Sequence, residues 1–354
     1  MRVNAALQAT RLSVLDRSLI RQGQDHSQAL RDTVRFAREA ESLGYHRFWV
    51  SEHHGVPGVA GSAPTVLAAA VAAATSRIRV GTGGVMLPNH QPLVVAEQFG
   101  VLESLYPGRI DMGLGRSVGF TGGIRRALGH DRRDAEEFGA QLDELLGYFT
   151  GDQRVYPGVH AFPAEGLRVP AYVLATGAGA DVAAEHGLPL VIAAVGGEER
   201  MLQAIDRYRA HFRPSAWSPR PYVIVSAAVA VAETTELAGR LQMPEAWSIV
   251  HSRTRGSFPP LAPAGEILSS TMTARERALF EEAWKGQVHG TEDEVEAALG
   301  SLVERSGAEE VLITMNTFDQ DERLDSYRRL AQLAHPAAGY PAVTVPAAPR
   351  AATP

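Results

Sequence analysis

Apolar residues along the chain alternate between two patterns. Short runs of β-branched and aliphatic residues, such as 310–316, predict buried strands. Longer stretches follow in which apolar residues recur at helical spacing. In 28–43, for example, Leu30 and Val34 lie four residues apart, and Gly44 follows as a stop signal. This alternation of strand and helix is typical of a parallel sheet covered by helices.

Eight such strand and helix units fit the chain. The predicted strands are residues 11–16, 47–52, 78–84, 109–115, 171–176, 189–195, 222–232 and 310–316. The pattern predicts an α/β fold, a (β/α)8 TIM barrel, which accommodates this length as a single domain over residues 11–335. Residues 243–264 are proline-rich and predict a long insertion before the seventh helix is completed. Residues 336–354, rich in proline and alanine, are expected to form a flexible tail.

Composition narrows the function to small-molecule chemistry. The net charge of -6 provides no basic excess for nucleic acid or an anionic membrane. No apolar run is long enough to span a bilayer, and Met1–Thr10 lacks the apolar core of a signal peptide. The absence of cysteine excludes thiol chemistry and is typical of a cytoplasmic protein. We therefore expect a cytoplasmic protein with a small-molecule site.

Four predicted strand ends carry titratable or glycine-rich sequence. In a TIM barrel, reacting groups lie where the strands end and the following loops begin. The four segments are Glu52-His53-His54, Gly81-Thr82-Gly83-Gly84, Gly113-Leu114-Gly115-Arg116-Ser117-Val118-Gly119 and Thr176-Gly177-Ala178-Gly179. We expect these segments to lie side by side at the mouth of the barrel.

The last two segments suggest a phosphate site. Gly177 and Gly179 precede a predicted helix and would present free N–H groups to an anion. Arg116, from the neighbouring strand end, would add a bidentate positive charge. The alternative is that the glycines only form tight turns and that Arg116 is a solvated surface residue.

Gly83 and Gly84 would allow a flat ring to approach the backbone closely. A bulge at the strand end explains two glycines equally well. His53 and His54 are adjacent, so alternation along a strand predicts that only His53 faces the site and that His54 points away. A metal site is disfavoured because no partner lies at helical ligand spacing.

A dinucleotide fingerprint is also disfavoured. Gly113, Gly115 and Gly119 follow a strand, but their spacing is wrong by one residue, and the acidic residue expected about twenty positions later is missing.

Several segments resemble the luciferase-like flavin-dependent monooxygenases, whose best-known member is the α-subunit of bacterial luciferase. They include LGYHRFWVSEHH at 43–54, IRVGTGGVMLPNHQPLVVAEQFGVLESLYPGRIDMGLGR at 78–116, and GTEDEVEAALGSLVERSGAEEVLITMN at 290–316. Among the branches of the family, the chain is most similar to actinobacterial polyketide-pathway oxygenases, such as that of mensacarcin biosynthesis.

The resemblance implies a function. FMN would arrive already reduced from a separate flavin reductase, form a C4a-hydroperoxide with O2 and deliver one oxygen atom to a small organic substrate, as in antibiotic biosynthesis. Within the resemblance, His53 lies at the active site and assists the flavin intermediate, and we predict that His53 and Glu52 are the catalytic residues. Arg116 contacts the flavin phosphate.

The same resemblance implies the remaining cofactor contacts. Gly83 and Gly84 lie beneath the isoalloxazine ring, where some members of the family have a non-prolyl cis peptide. Val118 and the loop of Thr176, Gly177, Ala178 and Gly179 complete the cofactor site. One departure is Gly115, which stands where luciferase has a cysteine, so any role of that thiol is absent.

Two other functions and a homodimer complete the expectations. Related barrels use the deazaflavin F420 for dehydrogenation, and the run Arg125, Arg126, Arg132 and Arg133 would suit its acidic tail. Other related proteins bind flavin without catalysis. The alanine-rich helix at 64–74 is apolar over most of its surface, which suggests a dimer contact.

Overall fold

The computed structural model describes residues 5–334, and its strands close into a parallel barrel. The strands are β1 (Arg11–Asp16), β2 (Arg47–Val50), β3 (Arg79–Thr82), β4 (Val85–Met86), β5 (Ile110–Gly115), β6 (Ala171–Ala175), β7 (Leu190–Ala193), β8 (Val223–Val231), β9 (Val288–Gly290) and β10 (Glu310–Thr314). Eight of them pair in the order β1-β2-β3-β5-β6-β7-β8-β10, and β10 also pairs with β1. The predicted (β/α)8 barrel is confirmed.

Helices surround the ring of strands. They are α1 (Ala5–Gln8), α2 (His26–Ser42), α3 (Pro64–Ala74), α4 (Pro92–Leu105), α5 (Gly122–Leu128), α6 (Phe138–Thr150), α7 (Gly179–Glu185), α8 (Glu198–His211), α9 (Thr235–Arg255), α10 (Ala264–Ser269), α11 (Ala274–Lys285), α12 (Glu292–Ser306) and α13 (Gln320–Ala334). Short 3₁₀ turns lie at Leu87–Asn89 and Arg132–Glu137. Among residues 5–334, no helix has the length and apolar character needed to cross a membrane.

The insertion is more ordered than its proline content predicts. It lies between β8 and α12, as expected, but residues 243–255 belong to the long helix α9. Pro244 lies inside this helix and is buried, and Gly256, with φ of 75°, caps its end. Gly256 marks the end of this helix, and tertiary packing tolerates the proline inside it.

Buried charges close the end of the barrel where the strands begin. Arg47, the first residue of β2, is 2% exposed. Its guanidinium donates to Asp111 and Tyr172 at 2.8 Å each and to Glu310 at 2.9 Å. Above this network, the barrel interior is filled by an apolar cluster of Trp49, Tyr172, Val191, Ile224 and Leu312. The opposite end, where the strands finish, is left open for a site.

The prediction of one domain over 11–335 stays a prediction. The predicted tail, residues 336–354, lies outside the described residues.

Candidate functional site

A cavity of about 890 Å³ occupies the mouth of the barrel. Its floor is apolar and comes from strand residues inside the ring, namely Leu15, Leu174, Val191 and Leu312. Its walls come from the segments that follow β2, β3, β5 and β6, as the sequence predicts. Of the predicted site residues, the cavity is lined by Glu52, His53, Gly83, Gly84, Arg116, Val118, Thr176, Ala178 and Gly179. Gly177 lies within the same loop but does not line the cavity.

The Gly83-Gly84 step forms part of the cavity wall, and its peptide bond is cis. A Cβ atom at Gly83 would lie 2.6 Å from Cδ1 of Leu15, and one at Gly84 would lie 2.8 Å from the carbonyl oxygen of Gly113. Backbone crowding therefore favours glycine at Gly84, whereas a side chain at Gly83 would require Leu15 to shift. The same absence of side chains leaves bare backbone facing the cavity.

Glu52 is fixed by hydrogen bonds on both carboxylate oxygens. Its side chain is 0% exposed and accepts from His54 Nε2 at 2.6 Å, His90 Nε2 at 2.9 Å and the Met86 N–H at 2.9 Å. Burial alone would raise the pKa of Glu52, but these partners outweigh it and lower the pKa to about 2. The carboxylate is thus ionised and joins the loop after β2 to β4 and to the turn that precedes α4.

His53 lies at the boundary of the cavity and carries no charge at neutral pH. Burial, aided by the positive charge of Arg17, lowers the pKa of His53 to about 4. Its Nδ1 lies 3.2 Å from the Ser51 hydroxyl, and the backbone N–H of His53 donates to the Gly61 carbonyl at 2.8 Å. If the Ser51 hydroxyl donates to Nδ1, the neutral ring carries its proton on Nε2 and is a donor there.

His54 does not point away from the cavity. Both imidazoles line it, and His54 is held against Glu52. The prediction of opposite directions was wrong because β2 ends at Val50, so strict alternation no longer applies at His53 and His54.

Arg116 and the Thr176 loop face each other across strands β5 and β6, which are paired. Arg116 is exposed, and its guanidinium makes no hydrogen bond or ion pair with any residue in the described range 5–334. In the facing loop, Gly177 has φ of 140°. The first turn of the helix that follows is closed by the hydrogen bond from the Ala180 N–H to the Gly177 carbonyl oxygen. The N–H groups that precede it open the short helix α7.

Two further arginines stand at the same mouth. Arg125 and Arg132 line the cavity, whereas Arg126 and Arg133 do not. Arg125 donates to the carbonyl oxygens of Gly119 and Phe120 at 3.0 and 3.3 Å, which fixes the loop after β5. Half of the predicted arginine run therefore reaches the site.

Sequence reasoning missed three polar residues beside His53. Arg17 follows β1, Asn316 follows β10, and Glu245 lies on α9; all three line a smaller neighbouring cavity. The strand-end rule applied to β2, β3, β5 and β6 would have identified Arg17 and Asn316 as well. No signal marked Glu245. Within residues 5–334, no three His, Cys, Asp or Glu side chains are grouped so that they could hold a metal ion.

Comparisons with known proteins identify relatives over nearly the whole chain. The family model described as luciferase-like monooxygenase matches residues 10–310. The uncharacterized protein YvbT of Bacillus subtilis is 39% identical over 92% of this chain and 96% of its own length. A luciferase-like monooxygenase of Escherichia coli strain K12 is 35% identical over 89% of this chain and 94% of its own length.

Solved structures share the fold. The structure of apo-MsnO8 superposes with a TM-score of 0.82 at 34% identity, covering 93% of this chain and 98% of that one. The family match and this structural match confirm the resemblance drawn from the sequence.

More distant folds hold either of two cofactors. The oxygenating constituent of 3,6-diketocamphane monooxygenase from Pseudomonas putida, in complex with FMN, has a TM-score of 0.68 at 17% identity, covering 92% of this chain and 98% of that one. An F420-dependent secondary alcohol dehydrogenase has a TM-score of 0.62 at 15% identity, covering 92% and 99%.

Proposed function

Because the chain belongs to the luciferase-like monooxygenase family, we propose that it is a monooxygenase that binds reduced FMN at the mouth of its barrel. One observation carries the proposal: Arg116, which has no partner among residues 5–334, and the bare Gly83-Gly84 backbone line the same cavity. The cavity, at about 890 Å³, is within the range of sites that hold cofactors.

The phosphate of FMN would bind between Arg116 and the loop that opens α7. A free guanidinium offers two parallel donors to phosphate oxygens, and the Thr176 hydroxyl and the N–H groups of Ala178 and Gly179 would add neutral donors. Val118, which is buried at the cavity wall, would contact the cofactor beside Arg116.

The ring of the flavin would lie against the Gly83-Gly84 backbone and the apolar floor. A side chain at Gly84 would collide with the backbone of β5, and one at Gly83 would have to displace the Leu15 side chain. The bare backbone allows a planar ring to approach at van der Waals distance.

When bound, reduced flavin supplies the two electrons that O2 needs. With those electrons, one oxygen atom would enter the substrate and the other would leave as water. Neutral His53 would act as a hydrogen-bond donor through Nε2 towards the reacting oxygen, a role that preorganised neutral donors perform well. Glu52 would position His54, His90 and the β4 segment rather than exchange protons, since its oxygens are already occupied.

We further propose that a separate reductase supplies the reduced flavin. The proposed phosphate-binding residues Arg116 and Thr176 are exposed at the cavity mouth, which would allow the cofactor to exchange with solvent. The substrate is a small organic molecule, and secondary metabolism is the proposed setting because the sequence resembles actinobacterial polyketide-pathway oxygenases.

The second candidate is an F420-dependent dehydrogenase. It is favoured by Arg125 and Arg132, which line the cavity with Arg116 and would suit the acidic tail of F420. A protein that binds flavin without catalysis is less favoured, because His53 is present at the cavity.

Anaerobic titration of the purified protein with reduced FMN, oxidised FMN, reduced riboflavin and F420 tests the proposal. We expect a protein that is colourless as purified and binds reduced FMN more tightly than oxidised FMN. Reduced riboflavin, which lacks the phosphate, should bind more weakly. Binding of F420 alone would favour the dehydrogenase, and stoichiometric flavin retained through dialysis would refute cofactor exchange.

A further inference from the structure

A second cavity, the side cavity, lies between the ends of β1 and β10 and the insertion helix α9. Its volume is about 120 Å³. His53 and Phe120 line both the side cavity and the larger cavity at the mouth of the barrel. The side cavity therefore adjoins the proposed reaction site at His53, the residue that we propose acts on the reacting oxygen.

Three residues that line the side cavity carry buried polar atoms that no residue in 5–334 pairs. Arg17 Nη2 donates to Oε1 of Glu245. Within the described part of the chain, Arg17 Nε, Glu245 Oε2 and Asn316 Nδ2 are buried and have no hydrogen-bond partner. Asn316 is only 4% exposed and Glu245 9%. Buried polar groups are nearly always paired in native proteins, so a donor and acceptor set of this kind calls for a ligand.

Apart from Ser248, the remaining wall is apolar, and it is held in place by backbone hydrogen bonds. It comprises Leu19, Val59, Ile249, Phe258, Pro259 and Leu261. Gly58 N–H donates to the Phe258 carbonyl at 2.9 Å, and Leu261 N–H donates to the Ile20 carbonyl at 2.8 Å. Phe258 also contacts Phe120 edge to face, with the ring centroids 5.4 Å apart. The side cavity is therefore preformed.

Charge and size define the ligand. Arg17 and Glu245 already neutralise each other, so an added carboxylate or ammonium would leave one buried charge uncompensated. A volume of about 120 Å³ is several times the roughly 10 to 15 Å³ that a single water molecule needs, which leaves room for one end of a substrate. The unpaired atoms include two donors and one acceptor.

We propose that the side cavity is a substrate specificity pocket that holds a neutral amide or hydroxyl end of the substrate. The oxygen of that group accepts from Asn316 Nδ2 and Arg17 Nε, and its hydrogen is donated to Glu245 Oε2. The rest of the substrate passes Phe120 and presents the atom to be oxygenated beside His53. This inference rests on the proposed monooxygenase function.

Three probes of similar size test it: benzamide, which accepts and donates, acetophenone, which only accepts, and ethylbenzene, which does neither. Their affinities are measured by NMR titration of the full chain, with and without reduced FMN. We expect benzamide to bind most tightly. Asn316→Ala and Glu245→Gln should each lower the affinity for benzamide about 3- to 10-fold, which is the effect of one hydrogen bond. Neither substitution should change the affinity for ethylbenzene.

A variant that fills the side cavity tests the pocket without removing its polar groups, and a control variant separates this effect from loss of fold. Ile249→Trp should fill the side cavity and abolish benzamide binding, whereas reduced FMN binding should stay intact. Leu237→Trp, on the same helix but outside the side cavity and 44% exposed, is the matched control and should alter neither. Thermal unfolding of each variant reports its fold.

Equal affinities for the three probes would overturn the proposal. So would benzamide binding that is insensitive to all three substitutions, or a benzamide-soaked crystal with only ordered water in the side cavity. If the probes behave as expected but reduced FMN does not bind the wild-type protein, the pocket stands and the monooxygenase proposal fails.

Discussion

Replacing Glu52 with glutamine should separate a positioning role from a catalytic one. The carboxylate is fully buried and accepts hydrogen bonds from two imidazoles and one backbone N–H. An amide keeps the size of the side chain but turns one acceptor into a donor that faces other donors.

The expected loss of stability follows from how strongly the folded protein favours the charged form of the Glu52 carboxylate. Its pKa falls from 4.5 to about 2 on folding, a difference of about 2.5 pKa units, or about 3 kcal/mol at 1.36 kcal/mol per unit. We therefore expect Glu52→Gln to lower the free energy of unfolding at pH 7 by about 2 to 4 kcal/mol, with the hydrogen bonds lost included. Urea denaturation monitored by circular dichroism measures it.

The pH dependence gives an independent check. A carboxylate whose pKa is depressed in the folded state stabilises the fold fully above its unfolded pKa, and that contribution is lost as pH falls towards the folded pKa. The stability difference between wild type and Glu52→Gln should therefore be constant above about pH 5 and shrink between pH 4.5 and about 2. The exposed Glu137→Gln is the matched control. If Glu52→Gln keeps full stability but loses all turnover, the carboxylate is catalytic and the positioning assignment is refuted.

Four other substitutions test the remaining parts of the account. Arg116→Ala should weaken the binding of reduced FMN by about 1.5 to 3 kcal/mol but barely affect the binding of riboflavin. An equal loss for both ligands would show that Arg116 does not bind the phosphate. His53→Ala should reduce oxygenation by about 10² to 10⁴, with more O2 released as peroxide and reduced-flavin binding kept. Unchanged coupled turnover would make the imidazole structural. Arg47→Met should destabilise the fold by about 3 to 5 kcal/mol, because Asp111 and Glu310 lose a buried partner, and a smaller loss by urea denaturation would contradict that. Val101→Asp should convert a homodimer to monomer in sedimentation experiments if the exposed apolar residues of α3 and α4 (Val66, Val94, Val101 and Leu105) form its interface.

The barrel was predictable because each buried strand is a short apolar run with a helix after it. Residues 110–115, for example, match a predicted strand to within one residue. The main site was predictable for a related reason: parallel strands place their ends together, so Glu52, Gly83 and Arg116 had to converge.

What was missed depends on tertiary contacts. The directions of His53 and His54 are set by a loop beyond the end of β2, where the two-residue period no longer holds. Glu245 meets Arg17 only because α9 folds back over the barrel, and Pro244 within that helix reads locally as a break. No periodicity in the sequence encodes that contact.

Rapid mixing with O2 tests the central claim most directly. The protein, saturated anaerobically with reduced FMN, is mixed with oxygenated buffer, and the appearance of oxidised-flavin absorbance is followed. If the flavin is held between Arg116 and Gly83-Gly84 beside His53, its oxidation should be kinetically distinct from that of free reduced FMN, and Arg116→Ala should shift the trace towards that of free flavin at the same protein concentration. A wild-type trace identical to that of free reduced FMN at every protein concentration would contradict the account.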